Sequence, residues 1–251
     1  MEIPNAQLLQ TCCPIIELRQ YTLHPGMRHV LIDLFDREFI EPQEALGMSV
    51  IGQFRDLGNR NRFVWLRGFR DMPSRAQALQ HFYGGPIWKA HRDAANATMV
   101  DSDNVLLLHP VSPASGFSID KSDRPAPDSR DVPNGVVVAI IYYFDAPVTA
   151  DFVKFFEQTL KPAAIDAGAT VLAYFVSENS ENTFPALPVR EGENVFVWFS
   201  RFNDQATYEL YAAAIARSER WCGEISKELT HRLKRAPEVL KLSPTERSRL
   251  R

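Results

Sequence analysis

The chain has 251 residues, of which 45% are hydrophobic and 24% charged, and its formal net charge is −3. That balance argues against a dedicated nucleic-acid surface, and no apolar run approaches the roughly 20 residues a membrane-spanning helix needs. Three cysteines, two of them adjacent (Cys12 and Cys13), make neither a disulfide framework nor a zinc pattern.

Residues 1–14 carry no basic start, no long apolar run and no small-residue cleavage site, so no secretory signal is expected and the default setting is cytoplasmic. Residues 15–23 then alternate with the period of two that marks a strand. After His24-Pro25-Gly26, Met27, Val30, Leu31, Leu34 and Phe35 recur at helical spacing, and Gly47 supplies a C-terminal stop. Residues 48–55 and 62–69 are two strands joined by a Gly- and Asn-bearing hairpin turn at 56–61. Ser74 with Gln77 forms a capping-box signature for a second helix, which Gly84-Gly85-Pro86 interrupts before it resumes through Trp88. A short strand at 105–109 closes the unit. The order is β-α-β-β-α-β, the ferredoxin-like arrangement of an antiparallel sheet with two helices on one face.

The unit is written twice. Asn61, Phe63, Val64, Trp65, Phe69, Asp71 and Trp88 return 133 residues later as Asn194, Phe196, Val197, Trp198, Phe202, Asp204 and Trp221. Upstream, Tyr21, Gly47, Val50 and Phe54 return after 121 residues as Tyr142, Gly168, Val171 and Phe175. The difference of 12 residues is an insertion at 177–193, whose composition predicts a surface loop. The second set of elements covers 136–144, 149–167, 170–176, 195–202, 204–235 and 239–243. The expected domains are 15–110 and 135–251, with a Pro- and Ser-rich linker at 111–134; an ordered segment wrapping one domain is the other reading of that stretch.

Ile16-Glu17-Leu18-Arg19-Gln20-Tyr21, then Leu23 and Pro25-Gly26, resembles the opening of the NIPSNAP family. So do Leu57-Gly58 followed by Asn61, the Val64-Trp65 strand, and Trp88 in the second helix. The likeness covers residues 15–110. The second copy looks like a diverged NIPSNAP domain, keeping Tyr142, Asn194, Trp198 and Trp221 but placing Val138 and Ile140 where Glu17 and Arg19 stand in the first. The family is similar to the dimeric α+β barrels, which implies two ferredoxin-like sheets packed face to face within this one chain as a pseudo-dimer. Related barrels host oxygenases, haem enzymes and non-enzymes, so the resemblance implies no reaction.

Strand parity separates two faces. In the first copy, Ile16, Leu18, Val50, Phe54, Val64 and Leu66 are expected under the helices, leaving Glu17, Arg19, Tyr21, Gln53, Arg55, Trp65 and Arg67 on the open face. The same parity gives Val138, Ile140, Tyr142, Leu172, Tyr174, Val176, Trp198 and Ser200 in the second. Stacking the open faces predicts a chamber between the sheets, polar on one wall and aromatic on the other. Its three arginines against one glutamate suit a carboxylate or similar anion on a small, partly aromatic ligand, although each arginine alone is as readily a rim residue paired with a loop acid.

Glu17 is the candidate acid/base, with burial and Arg19 pulling its pKa in opposite directions, and Tyr21 the candidate proton-transfer group. Arg19, Gln53, Arg55, Trp65, Arg67, Tyr142, Tyr174 and Trp198 are the candidate ligand-binding residues. Trp88 and Trp221 are expected as core anchors. The six histidines show no paired metal spacing, so no metal or cofactor is expected; haem ligation by His91 is a remote alternative. The function expected is a small-molecule-binding barrel, including a cofactor-independent, oxygenase-like enzyme acting on an acidic or aromatic metabolite. The alternative is a non-catalytic interaction or scaffold protein, which a completely filled barrel interior would favour. Expected partners are that small ligand and a second copy as homodimer, with no nucleic acid.

Overall fold

The computed structural model describes residues 12–119 and 124–251. The expectation for residues 1–14 therefore falls almost wholly outside the described residues. Strands β1 (Ile15–Leu23), β2 (Ser49–Asp56), β3 (Arg62–Phe69) and β4 (Met99–Pro110) belong to the first half, and β5 (Val136–Phe144), β6 (Thr170–Ser177), β7 (Asn194–Phe202) and β8 (Glu238–Pro244) to the second. They close into one antiparallel barrel in the order β1-β3-β2-β8-β5-β7-β6-β4. Two junctions join the halves: β2 pairs with β8 from Phe54↔Pro244 to Asp56↔Leu242, and β4 pairs with β6 from Leu108↔Ser177 to Pro110↔Phe175. Closure leaves no open sheet edge, so the two-fold arrangement needs no second chain.

Helices lie outside. The first half carries α1 (Arg28–Glu38), α2 (Ile40–Ala45), α3 (Met72–Gly84) and α4 (Pro86–Asn96). The second carries α5 (Ala150–Phe155) and α6 (Lys161–Asp166) about a π-helical turn, then α7 (Gln205–Arg217) and α8 (Ser226–Arg232) about another. Gly47 and Gly168 end the first helical region of each half at φ +86° and +110°, the left-handed conformation that glycine adopts without strain. The cap of α3 is Asp71, not Ser74: its carboxylate accepts from Ser74 N at 2.7 Å, and Asp204 repeats the contact with Thr207 N at 2.7 Å in α7. In α1 the buried residues are Leu31, Ile32, Leu34 and Phe35, while Met27 and Val30 are exposed.

The barrel interior is a packed apolar core. Ile16, Leu18, Ile51, Phe54, Val64 and Leu66 meet Val137, Ala139, Ile141, Ala173, Phe175, Val197 and Phe199 there, and all are almost fully buried. An eight-stranded barrel is just wide enough for its own side chains. The expected chamber between the sheets is therefore filled, the outcome that favours the scaffold alternative for the barrel interior. The expected facing is reversed: the charged and aromatic residues lie under the helices, so a small-molecule site can only lie there. Val50 and Leu172 escape the reversal: a bulge at Val50–Gly52 keeps Val50 on the helix side, as expected, while Phe54 points inward. Its counterpart at Val171–Ala173 puts Leu172 against the barrel core.

Described parts of the 111–134 stretch are built into the structure. Phe117 packs in the barrel core, and Arg124 donates to Val50 O at 2.5 Å and Glu44 Oε1 at 2.7 Å. From the C-terminal side, Leu250 joins the same core, with Leu250 N donating to Ile51 O at 3.2 Å. Cys12 and Cys13 are joined to each other, a bond between neighbours that ties no distant parts together, and Cys222 is free and exposed.

Candidate functional site

Between the first-half sheet and its helices, β1 and β3 place Glu17 opposite Arg67 and Arg19 opposite Trp65. From above, α3 contributes Arg75, which shares the buried stripe of Ala78, Leu79 and Phe82. Glu17, Arg19, Arg67 and Arg75 are all 0% exposed. The Glu17 carboxylate accepts from Arg19 Nη1 at 2.8 Å, Arg67 Nε at 2.7 Å and Arg75 Nε at 2.7 Å. Arg67 Nη1 also donates to Gln43 Oε1 at 3.0 Å, and Arg19 Nε to the Tyr21 hydroxyl at 3.0 Å. The Arg67 guanidinium stacks 5.0 Å from the Trp65 ring centroid and that of Arg19 5.6 Å from it.

One carboxylate thus faces three guanidinium groups in a space closed to water. Burial alone would raise the Glu17 pKa, but Arg67, Arg19 and Arg75 outweigh it and hold the carboxyl well below the usual carboxylate range. The competition left open by the sequence is decided for the arginines, and a carboxylate so stabilised is a weak proton acceptor. Burial raises the Tyr21 hydroxyl above its ordinary value, against the opposing effect of Arg19. The cluster keeps a surplus of positive charge. Nη2 of Arg19, Arg67 and Arg75, together with Trp65 Nε1, has no hydrogen-bond partner among the described residues. Such buried donors are costly unless something accepts from them.

Beside this cluster is a cavity of about 30 Å³ lined by Tyr21, Gln43, Trp65 and Tyr83 on the polar side and by Phe35, Phe39, Phe82 and Trp88 among the apolar residues. Tyr21, Gln43, Trp65 and Tyr83 are the same residues that touch Arg19 and Arg67. The cavity therefore has an aromatic lining, and Arg19 and Arg67 stand behind its polar wall rather than in it.

The second half has the same frame without the charges. The repeat offsets map Glu17, Arg19 and Gln43 onto Val138, Ile140 and Ala164, and Arg67 and Arg75 onto Ser200 and Tyr208. The register agrees, since Val138 pairs with Ser200 and Ile140 with Trp198. Tyr142, Tyr174 and Trp198 pack with Phe156 and Phe196 under the second-half helices, away from the arginine cluster. Tyr174 donates to Glu157 Oε1 at 2.7 Å. They do not form a wall opposite Glu17.

Two other candidates stand apart from the cluster. Arg55 lies at the rim, quarter-exposed, donating to both Glu246 carboxylate oxygens at 2.8 Å. Gln53 shares the face of Trp65 by register, but its amide has no hydrogen-bond partner among the described residues. His91 lies on α4 with Nε2 3.4 Å from Glu38 Oε2. Trp88 packs against Phe39, Phe82 and Tyr83, at the cavity wall rather than deep in the core. Among the described residues no group of three or more His, Cys, Asp or Glu side chains is placed to hold a metal.

The site contains residues that the sequence reading passed over. Arg75 follows its cap by four positions and interrupts an otherwise apolar helical stripe, a detectable signal. Gln43, Tyr83, Asn182 and Thr183 carried no such mark. The last two come from the 177–193 insertion, which reaches across to the first half: Arg75 Nη1 donates to Asn182 Oδ1 at 3.0 Å and to Thr183 Oγ1 at 3.2 Å.

Residues 16–113 match the NIPSNAP family model, so the first half of the chain carries a NIPSNAP domain. A comparison with curated proteins gives no match. Among solved structures, an anthrone oxidase-like protein is similar over 94% of both chains at 11% identity, with a TM-score of 0.55. A candidate monooxygenase from Fusobacterium nucleatum subsp. nucleatum covers 93% of both chains at 10% identity, with a TM-score of 0.54. An uncharacterized NIPSNAP-like domain protein from Burkholderia xenovorans is 30% identical over 39% of this chain and 85% of its own, with a TM-score of 0.36. The full-length likenesses establish the α+β barrel fold.

Proposed function

We propose that this chain binds a small acid with an aromatic or planar apolar body, in the space between the first-half sheet and its helices. The observation that carries the reading is the buried surplus of guanidinium groups, present in one half and replaced by neutral residues in the other. A fold that stands in its second half without these charges does not need them for packing. Arg19, Arg67 and Arg75 present the unpartnered donors to the acid group, Trp65 Nε1 adds another, and Tyr21, Tyr83 and Trp88 flank the body. Glu17 anchors the arginines and is assigned no proton-transfer role. In this reading residues 15–110 form the ligand-holding domain and 135–251 its neutral partner, with 111–134 between them.

The enzymatic form of the reading is oxygenase-like turnover of such an acid. The full-length fold likenesses support it only by analogy. The chemistry of the site supports it further, because guanidinium groups lower the energy of an electron-rich anion formed from the substrate, and Tyr21 supplies a hydroxyl proton at the same place.

The test is calorimetry with 2-naphthoate against 2-naphthamide. The acid is expected to bind and the neutral amide not, and Arg67→Gln is expected to weaken the acid by about tenfold or more, as loss of a hydrogen bond to a charged group implies. Equal behaviour of acid and amide overturns the reading. Turnover is tested by oxygen uptake with 1,4-dihydroxy-2-naphthoate, where parent and Arg67→Gln protein are expected to differ.

A further inference from the structure

Two departures from the internal two-fold converge on one place. The charges of the first half are lost from the second, and the second half has gained a 12-residue insertion that the first lacks. Arg190 ties the insertion to its own half, its Nη1 donating to the Tyr143 hydroxyl at 3.2 Å, but the segment also reaches into the other half. Its ends are laid along β4, with Glu178 N donating to Leu107 O and Arg190 N to Val105 O, both at 2.8 Å. Between them it crosses to α3, where Thr183 Oγ1 donates to Met72 O at 3.3 Å and Phe184 stacks on Tyr83 with ring centroids 5.9 Å apart.

Asn182 is the centre of that crossing. Only 8% exposed, it donates to Leu187 O at 3.0 Å and accepts from Phe184 N at 3.1 Å, which folds the segment around it. The same carbonyl oxygen accepts from Arg75 Nη1. Arg75 is therefore held from below by Glu17 and from above by the second half.

We infer that residues 178–193 are a working part of the first-half ligand site: Asn182 positions Arg75, and Phe184 closes the aromatic wall over Tyr83. This rests on the reading of the site as an acid-binding pocket. A cavity of about 30 Å³ holds a water or two, whereas ligand pockets run to several hundred Å³, so a wall must move to admit an aromatic acid. The strands are fixed by barrel closure and the helices by their apolar faces. No strap residue lines the cavity itself, but Phe184 backs Tyr83, which does. Between its two backbone hydrogen bonds to β4 the strap is held by side-chain contacts, so its release is what frees Tyr83 to swing aside. When it lifts, Arg75 loses its upper partners and is free to accept a carboxylate. When it closes, Asn182 restores the geometry and traps the acid.

The experiment is stopped-flow fluorescence with 2-naphthoate on the full chain, comparing the parent with Asn182→Ala, Phe184→Ala and Arg67→Gln. The dissociation rate is expected to rise about tenfold in Asn182→Ala, the equivalent of one hydrogen bond to a charged group. In Phe184→Ala it is expected to rise about threefold to tenfold, the equivalent of one aromatic stack, and the association rate is expected not to fall in either. Arg67→Gln is expected to weaken binding without relieving any slow entry step. If both strap variants keep parental rates within twofold while Arg67→Gln loses the acid, the strap has no part in the site and the pocket reading stands. If the parent takes up no acid, pocket and strap fall together.

Discussion

Replacing Glu17 by Gln removes one charge and almost no volume at the centre of the buried cluster. Glu17 is 0% exposed and accepts from three guanidinium groups at 2.7–2.8 Å. Taking one partner out of a buried pair strands the other charge, at a cost of about 3–5 kcal/mol. Here three arginines lose their common counter-ion, so the upper end is expected. In a chain of this size each kcal/mol moves Tm by about 2–4 °C, so the fall is roughly 10–20 °C. Two further results distinguish the electrostatic account from simple loss of packing. First, 2-naphthoate should raise the Tm of Glu17→Gln more than that of the parent, because its carboxylate replaces the lost charge. Second, the folded-state pKa of Glu17 is depressed, so its stabilisation is complete above the ordinary glutamate value of 4.5 and is lost as pH falls below it towards the folded value. The variant should therefore lose less stability than the parent over that acid range. Thermal melts from pH 3 to 8, with and without the acid, measure all three. A variant within 1 kcal/mol of the parent at neutral pH, with the same acid slope, refutes the reasoning.

Grafting the second-half residues into the first, as Glu17→Val, Arg19→Ile, Gln43→Ala, Arg67→Ser and Arg75→Tyr together, should leave a folded barrel as stable as the parent or more stable by about 1–4 kcal/mol. Calorimetry should show no binding of 2-naphthoate by that variant. Phe199→Ala empties a fully buried position in the barrel core and should cost about 3–5 kcal/mol by urea titration, against less than about 0.5 kcal/mol for the exposed Leu210→Ala. Burial pushes Asp36 up to about 7 despite Arg247, so ionising it opposes folding as pH rises from about 4 to 7. Asp36→Asn should therefore stabilise the protein at pH 8 and change little at pH 4, as read from melting temperatures.

The repeat was legible because Trp65, Asn61 and Asp71 recur at constant spacing, and two equal β-α-β-β-α-β units leave few ways to close a sheet. Which residues share a face was also legible, since alternation is a local property of a strand. Which face turns inward was not. In the first half both faces contain large apolar residues, and the deciding quantity is the width of an eight-stranded barrel, a property of the closed assembly. The bulges at Val50–Gly52 and Val171–Ala173 reverse the alternation without any mark except Gly52 in one copy. Asn182 was harder still: it lies 107 residues from Arg75, and a polar insertion carries no sign of which half it will cover.

The reversal changes what the arginines do. Inside the barrel they would sit behind a wall closed on all sides by strand hydrogen bonds, with no route for a ligand short of opening the sheet. Under the helices they have one wall of sheet and one of helix and loop, and only the second kind moves cheaply. Tandem fusion adds something a symmetric dimer lacks. Two identical chains would each carry the charges, and any insertion would appear twice. Within one chain the two halves are free to differ: only the first carries Glu17, Arg19, Gln43, Arg67 and Arg75, and the second lends it a loop. The five-residue graft therefore asks more than whether the charges bind an acid. If it folds and its strap becomes labile to proteolysis, Arg75 is what holds the insertion down; if the strap stays protected, the contacts to β4 and Tyr83 suffice without it.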